Sequence, residues 1–150
     1  MPHVTDCEIL AHQEAAPGHY RLVLDAPAIA ADALPGQFCM LEVRPGYHPF
    51  LRRPMSIERI FPGSVSILYK VEGEGTRLLS GLAPGQSINL QGPLGKPFPL
   101  PEGMERPILV AGGIGVAPFP GLAERLVRET GLTPEVVLAA RNEHLLLCER

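Results

Sequence analysis

An arginine and a serine stand three positions apart in the run RRPMSI, residues 52–57, which is typical of a β-strand. In an extended chain alternate side chains point to opposite faces, so Pro54 and Ser56 face one way. Arg53 and Met55 then face the other way. A hydroxyl and a guanidinium along one strand suit a flat ligand that carries both ring nitrogens and phosphates. On this segment alone, a solvated edge strand, where proline is common, is the favoured interpretation.

A second group of candidate residues lies about fifteen positions further on, a rough spacing read directly from the chain. Leu68, Tyr69 and Lys70 end an apolar strand, and Gly75 and Thr76 open a short helix. A helix start presents unpaired amides and the positive end of a dipole, and glycine would let a pyrophosphate approach closely. Capping and phosphate binding account equally well for the Gly-Thr pair. For Tyr69 alone, packing in the barrel end is favoured over stacking on a ring.

The third group is the run GGIGVAP, residues 112–118, between an apolar strand and an amphipathic helix. Small residues at such a turn let the phosphates of a dinucleotide approach backbone donors. Gly113 and Gly115 are the candidate binding positions, together with Pro118, which suits a first helical turn. The form is GxGxxP and not the GxGxxG of dinucleotide folds, and any tight strand-to-helix connection can use glycine. This turn alone is therefore weak support for a nucleotide site.

The elements that position these residues begin with short strands between residue 4 and about residue 100. Their apolar residues alternate with period two, and turn signals separate them, which predicts an all-β barrel or sandwich. Leu34–Gln37 and Ala83–Gln86 both place Pro before Gly, as type II turns favour, and each should begin a strand. The candidate strands are VTDCEIL, HYRLVLDA, QFCMLEV, RRPMSIE, SVSILYKV and SINLQGP.

The pattern changes after Pro101-Glu102-Gly103, which we interpret as a domain boundary. Residues 107–111 form a continuous apolar run typical of a buried strand. A segment follows with apolar side chains at helical spacing, and residues 136–140 give a second apolar strand. The sequence thus predicts one βαβ unit after the β region.

Composition excludes several classes of protein. The chain has 150 residues and a formal net charge of −3, with no basic stripe for a nucleic acid. Its N-terminal residues lack the basic start and apolar run of a signal peptide, and no stretch is long enough for a membrane span. We therefore expect a cytoplasmic protein without nucleic-acid or membrane partners. The 16 glycines and 17 prolines punctuate apolar runs, which favours many tight turns over disorder.

Taken in order, the RPxS strand, the Gly-Thr helix start, GPLG at residues 92–95 and GGIGVAP resemble the ferredoxin–NADP reductase superfamily. Within it, RRPMSI, ILYKVEGEGT, GPLGKPF and ILVAGGIGVAP are most similar to the electron-transfer subunits of bacterial dihydroorotate dehydrogenase. The resemblance spans essentially the whole chain. Its motifs are specific in combination.

The resemblance implies a mainly β plus α/β fold: a six-stranded antiparallel FAD-binding barrel over residues 1–101 and the first part of an NAD-binding domain over 102–150. It implies that NAD lies at Gly113, Gly115 and Pro118. It also implies an oxidoreductase component without a catalytic side chain, because the cofactors supply the chemistry. The residues that it assigns to FAD are Arg53, Pro54, Met55, Ser56, Leu68, Tyr69, Lys70, Gly75 and Thr76.

The partner implied by the resemblance is a catalytic dihydroorotate dehydrogenase subunit in a heterotetramer. Electrons would pass from dihydroorotate through a [2Fe–2S] cluster and FAD to NAD⁺, in pyrimidine biosynthesis. Cys7, Cys39 and Cys148 are too far apart in sequence to suggest a cluster or zinc site, and no metal site is expected. Arg141, after the second strand of the βαβ unit, is interpreted as a solvated loop residue.

Full-length members of the family continue beyond this end point, so we expect the chain to be part of a longer protein or to be covered by another chain. A two-stranded parallel sheet would expose apolar surface, and we expect weak NAD binding and incomplete activity from these residues alone. Two alternatives remain open. One is a flavin reductase component serving a sulfide dehydrogenase, a hydrogenase or a ferredoxin; the other is an interaction domain without cofactor.

Overall fold

A computed structural model describes residues 1–44, 46 and 50–149. Six antiparallel strands form a closed barrel in the spatial order β1-β2-β5-β4-β3-β6. The predicted six-stranded barrel is therefore confirmed. Its strands are β1 (His3–Ala16), β2 (His19–Asp25), β3 (Phe38–Glu42), β4 (Arg53–Phe61), β5 (Ser64–Lys70) and β6 (Ser87–Leu94).

The interior of the barrel is filled by the apolar positions of the alternating pattern. Each strand sends side chains inward at every second residue, and these pack as one cluster because the closed sheet has a single enclosed face. Fully buried members from the six strands are Ile9, Leu24, Leu41, Ile57, Ile67 and Leu90.

Both Pro-Gly turns have the predicted geometry. Gly36 and Gly85 adopt φ of +99° and +85°, which an L side chain rarely adopts. The amide of Gln37 donates to the carbonyl of Leu34 at 3.2 Å, and the turn before β6 repeats this bond at 3.2 Å. Each turn leads within two residues into a strand, β3 in one case and β6 in the other.

Two short helices connect barrel strands. The helix α2 (Glu74–Ser80) is the one predicted after β5, whereas α1 (Pro27–Asp32) is not indicated by the sequence pattern. Ile29 and Ala30 of α1 are buried against the barrel. Tertiary packing therefore stabilises a helix that is too short to be stable alone.

The predicted βαβ unit follows the barrel. It consists of β7 (Ile108–Gly112), α3 (Phe119–Thr130) and β8 (Glu135–Ala139), with a 3₁₀ turn at Gly113–Val116 and another at Glu143–Leu145. The two strands are parallel. On the face away from α3, Ile108, Val110 and Val137 are 58%, 68% and 53% exposed, as the sequence predicts for this sheet. In the described part of the chain, no helix is long and apolar enough to span a membrane.

Candidate functional site

Residues from each of the three candidate groups line one cleft between the barrel and the βαβ unit, with a volume of about 360 Å³, whereas Arg53, Gly75 and Thr76 are not in its lining. The start of β4 and the end of β5 form one wall, and the turn after β7 forms the other. Residues that are distant in sequence thus share one site. The cleft is lined by Pro54, Met55, Ser56, Leu68, Tyr69, Lys70, Glu72, Ile114, Gly115 and Ala117.

Strand pairing determines how β4 presents its side chains. Pro54 pairs with Met40 and Ser56 with Phe38, both on the partner strand β3. Met55 pairs with the buried Cys39 and packs against the barrel core. The alternation predicted for this strand is therefore present, with Met55 pointing inward.

Arg53 lies at the rim of the barrel, against the first turn of α2. A Cβ atom placed on Gly75 would lie 2.3 Å from the Nε atom of Arg53, so only glycine lets the guanidinium lie so close to the helix. The Nη1 atom of Arg53 donates a hydrogen bond to the carbonyl of Leu51. A cation is thus held beside the amide end of α2, where the helix dipole also favours an anion.

The hydroxyl of Thr76 caps the helix. Its Oγ1 accepts hydrogen bonds from the amides of Glu72 at 2.9 Å and Gly73 at 3.1 Å. The first helical bond runs from the amide of Arg77 to the carbonyl of Gly73, so the amides of Gly75 and Thr76 precede it. The sequence leaves two interpretations open, and the hydroxyl of Thr76 has the capping role. Phosphate binding, the other role, would have to use the backbone amides of Gly75 and Thr76.

The ring of Tyr69 points into the barrel, where the side chain is 1% exposed. Its hydroxyl lies 3.0 Å from Nε2 of His12, and Nδ1 of His12 lies 2.7 Å from the carbonyl of Leu82. A carbonyl can only accept, so Nδ1 of His12 carries a proton and donates a hydrogen bond to the carbonyl of Leu82. Burial raises the pKa of Tyr69. Tyr69 therefore faces the cleft with its backbone and not with its ring.

Leu68 and Lys70 project from the outer face of β5, on either side of Tyr69. Leu68 is buried in a cluster with Val116 and Ala117 of the facing unit. Lys70 makes an ion pair with Glu72, which lowers the pKa of that carboxyl. The cleft therefore has an apolar floor and a paired charge at one end.

A second cleft of about 440 Å³ continues from the first across Lys70, Glu72 and Ile114. It lies at the carboxyl ends of β7 and β8, where open α/β sheets bind ligands. Gly113 lines it with φ of +53°. Its other lining residues are His19, Ala139, Ala140, Arg141 and Leu145.

Pro118 lies at the N-cap of α3 and not in the lining of either cleft. The 3₁₀ turn Gly113–Val116 separates it from β7, and the amide of Ala117 donates to the carbonyl of Ile114 at 3.0 Å. The glycine turn therefore reaches α3 through one extra turn of helix.

Some lining residues are not assigned by sequence reasoning. Glu72, Ile114 and Ala117 line the first cleft, and Arg141 lines the second although it is exposed. The sequence feature that could have identified Glu72 is its negative charge, two residues after the positively charged Lys70. Among residues 1–44, 46 and 50–149, no three His, Cys, Asp or Glu side chains are grouped to hold a metal ion.

No protein-family model matches the chain. It is 38% identical over 151 residues to the dihydroorotate dehydrogenase B (NAD(+)) electron transfer subunit of Desulforamulus reducens, covering 99% of this chain and 57% of that protein. It is 37% identical over 146 residues to the same subunit of a Geobacillus species, covering 95% of this chain and 56% of that protein. The chain thus spans little more than half the length of these relatives.

Solved structures of reductases have the same fold. The NADH-dependent reduced ferredoxin-NADP oxidoreductase, studied for flavin-based electron bifurcation, has a TM-score of 0.84 and 29% identity, over 94% of this chain and 50% of that one. The ferredoxin reductase in carbazole 1,9a-dioxygenase has a TM-score of 0.82 at 24% identity, over 97% and 45% of the two chains. The ferredoxin-NADP⁺ reductase of Plasmodium falciparum has a TM-score of 0.77 at 18% identity, over 97% and 62%. The last two comparisons concern the fold alone.

Proposed function

Because this chain is a homologue of the dihydroorotate dehydrogenase B electron transfer subunits and has a ferredoxin reductase-like fold, we propose that it binds FAD and transfers electrons between a partner subunit and NAD⁺. One observation carries the proposal. Two segments that the sequence assigns to FAD, Pro54–Ser56 and Leu68–Lys70, line a single cleft together with Gly115 of the turn assigned to NAD.

The residues at this cleft fit FAD by their chemistry. Arg53 and the amides of Gly75 and Thr76, which are not in the lining of the cleft, would supply the positive site for the pyrophosphate. Ser56 can donate or accept a hydrogen bond at a flavin ring nitrogen, and Met55 and Leu68 supply apolar surface. Pro54, the backbone of Tyr69 and Lys70 complete the proposed FAD site. FAD supplies the redox chemistry when bound, and these residues bind and orient it.

We assign NAD⁺ to the turn that contains Gly113 and Gly115, with Pro118 fixing the start of α3 behind it. A Cβ atom added to Gly115 would meet no other atom within 4 Å, so a ligand could approach its backbone. Residues 1–101 would then form the FAD-binding domain and residues 102–150 part of the NAD-binding domain. The carboxyl ends of β7 and β8 bring this turn beside Lys70 and Arg141.

The proposed electron source is a catalytic subunit that oxidises dihydroorotate in pyrimidine biosynthesis in the cytoplasm, assembled with this subunit as a heterotetramer. A [2Fe–2S] cluster, which the family resemblance implies, does not fit the cysteines described in this chain. Cys7 and Cys39 are buried in the barrel, and Cys148 lies near the carboxylate of Glu58 on its outer wall. Ligands for such a cluster would have to be residues other than these three cysteines.

A ferredoxin-linked reductase is a second candidate function. It is favoured by the TM-score of 0.84 and 29% identity to the NADH-dependent reduced ferredoxin-NADP oxidoreductase. Both functions use the same FAD cleft, so they differ only in the protein that exchanges electrons with it. Co-purification of the full-length protein with a dihydroorotate-oxidising subunit would distinguish them.

The proposal is tested by the visible absorption spectrum of the purified protein, followed by mass spectrometry of the released flavin. We expect a yellow protein that releases FAD and not FMN. A preparation that stays colourless after incubation with excess FAD would overturn the proposed function.

A further inference from the structure

Four polar side chains form a row across the outer face of the barrel, from β1 through β6 and β3 to the residue before β4. Strand pairing sets Asp6 and Glu42 each opposite Asn89, and the pairing of Leu41 with Arg53 sets Arg52 beside Glu42. We call these four side chains, Asp6, Asn89, Glu42 and Arg52, the polar row.

The polar row is hydrogen-bonded along its length. The Nη2 atom of Arg52 donates to Oε2 of Glu42 at 2.8 Å and to Oδ1 of Asn89 at 2.6 Å. The Nδ2 atom of Asn89 donates to Oδ1 of Asp6 at 2.7 Å. Asn89 uses its oxygen toward the arginine and its nitrogen toward the aspartate, which fixes the orientation of the amide.

Arg52 also contacts the backbone of the neighbouring strands. Its Nη1 atom lies 3.4 Å from the carbonyl of Asn89 and 3.5 Å from that of Met40, which are weaker bonds. One side chain therefore ties the start of β4 to both β3 and β6. Its ion pair is three-quarters buried at the arginine, so it is less screened than a fully exposed pair.

The start of β4 needs such an anchor. Residues 43–52 join β3 to β4. The start of β4 is therefore not connected to the end of β3 by a tight two-residue turn. Unclamped strand ends open more readily than strand centres. The bonds of Arg52 replace the clamp that a short hairpin turn would give.

The next residue along the chain is Arg53, whose orientation depends on the same backbone. The carbonyl of Leu51, which accepts the hydrogen bond of Arg53, belongs to the peptide unit that ends at the amide nitrogen of Arg52. The side chain of Arg52 thus fixes one end of the peptide unit that holds the guanidinium of Arg53. The guanidinium also lies beside Gly75, where an added Cβ would meet it.

We propose that Arg52 is a positioning residue for the flavin site and acts by holding Arg53 beside the start of α2. Its side chain bonds to Glu42 and Asn89 and is not in the lining of the cleft. This inference rests on the proposed function, in which Arg53 binds the pyrophosphate of FAD. It predicts that Arg52 affects FAD affinity only through Arg53, whereas a general effect on folding would act independently of Arg53.

The test is a double-mutant cycle of Arg52→Met and Arg53→Met, with the dissociation constant of FAD measured by fluorescence titration of the apoprotein. We expect Arg53→Met to raise the dissociation constant by about 10- to 100-fold, as for the loss of a charged hydrogen bond. Arg52→Met should raise it by about 10-fold, the lower end of the range for the loss of an orienting partner. The double variant should match Arg53→Met within about twofold.

Arg59→Met is the matched control, because Arg59 lies on the same strand but pairs with Glu124 of α3. It should leave the dissociation constant unchanged. Urea unfolding of each variant separates affinity from stability. If Arg52→Met does not fold, Arg52→Lys keeps the charge but loses the planar fork, and it should still weaken FAD binding.

The outcomes separate the inference from the proposed function. A wild-type protein that binds no FAD overturns both. If FAD binds and Arg53→Met weakens it, but Arg52→Met has no effect or adds its full effect in the double variant, the inference is wrong and the proposed function stands. If Arg53→Met does not change FAD affinity, the positioning role falls while FAD binding remains.

Discussion

The guanidinium of Arg21 forms a two-pronged ion pair with the carboxylate of Glu58, whose side chain is 0% exposed. Nε of Arg21 lies 2.8 Å from Oε2, and Nη2 lies 2.7 Å from Oε1. The hydrogen bonds to Glu58 raise the pKa of Arg21. It joins β2 to a bulge in β4, at the point where α3 packs against the barrel.

Removing one partner of this pair should destabilise the protein strongly. Arg21→Ala leaves a buried carboxylate without its cation, and we expect the free energy of unfolding to fall by about 3–5 kcal/mol. Urea denaturation measures this loss.

The double variant Arg21→Met/Glu58→Leu should be close to the wild type in stability, because apolar residues can replace a buried pair. His3→Ala, which removes a partly exposed pair with Asp32, should change stability by about 1 kcal/mol or less. If Arg21→Ala lowers the free energy of unfolding by less than about 1 kcal/mol, the pair of Arg21 and Glu58 does not stabilise the protein as a buried ion pair.

Gly75→Ala should weaken FAD binding. The new Cβ would lie 2.3 Å from Nε of Arg53 and 2.9 Å from its Cζ, so the guanidinium must move away from the start of α2. We expect the dissociation constant of FAD to rise by about tenfold, which is the loss of one charge-assisted hydrogen bond. Gly73→Ala is the control, because an added Cβ there meets no atom within 4 Å. Equal FAD affinity in the two variants would exclude Arg53 from the site.

The sequence predicts the barrel and the βαβ unit because both depend on local signals. Alternation marks the strands, and Pro-Gly pairs mark the turns at Gly36 and Gly85. The limits of β1 are harder to predict. Beyond Leu10 the alternation is lost, yet pairing with β2 continues to Ala16 through two irregularities in register. There the neighbouring strand, and not local pattern, keeps the chain extended.

The candidate site was predictable in its segments, in the alternation along β4 and in the packing of Tyr69, but not in its long-range side-chain contacts. The segments that line the cleft, such as Pro54–Ser56 and the turn at Gly115, are indicated by local sequence signals. That the ring of Tyr69 points inward to His12 depends on a contact across 57 positions. The bonds of Arg21 with Glu58 and of Asn89 with Asp6 span 37 and 83 positions. These pairs form only when barrel closure sets the register, and one sequence does not contain that information.

Gly121→Ala should loosen the contact between α3 and the barrel. An added Cβ would lie 2.8 Å from the carbonyl oxygen of Glu58, which is backbone and cannot move aside cheaply. We expect a loss of about 1–3 kcal/mol in the free energy of unfolding, typical of overpacking. Arg128→Ala, on the exposed face of the same helix, should change it by about 0.5 kcal/mol or less. Thermal unfolding in which both variants behave alike would mean that α3 does not pack at this position.

The thiols of the barrel should be unreactive in the folded protein. Burial raises the pKa of Cys7 to about 11 and that of Cys39 to about 12, from a usual value of 9.0. At about pH 8 the thiolate fraction of Cys7 is therefore about a hundredfold lower than that of an ordinary thiol. We expect slow labelling of both cysteines by a disulfide reagent such as DTNB, and rapid labelling in urea.

The same shifts predict how stability depends on pH. A thiol whose pKa is higher in the folded than in the unfolded protein stabilises the folded state as long as it keeps its proton. The contribution of each thiol to the free energy of unfolding is therefore complete below about pH 9. It is lost as pH rises from about 9 through 11 for Cys7 and through 12 for Cys39. Urea denaturation at about pH 7 and pH 10 should show this decline, and Cys7→Ala should reduce it. Fast native labelling of Cys7 or Cys39, or an unchanged decline in Cys7→Ala, would contradict the burial of these two thiols in the barrel.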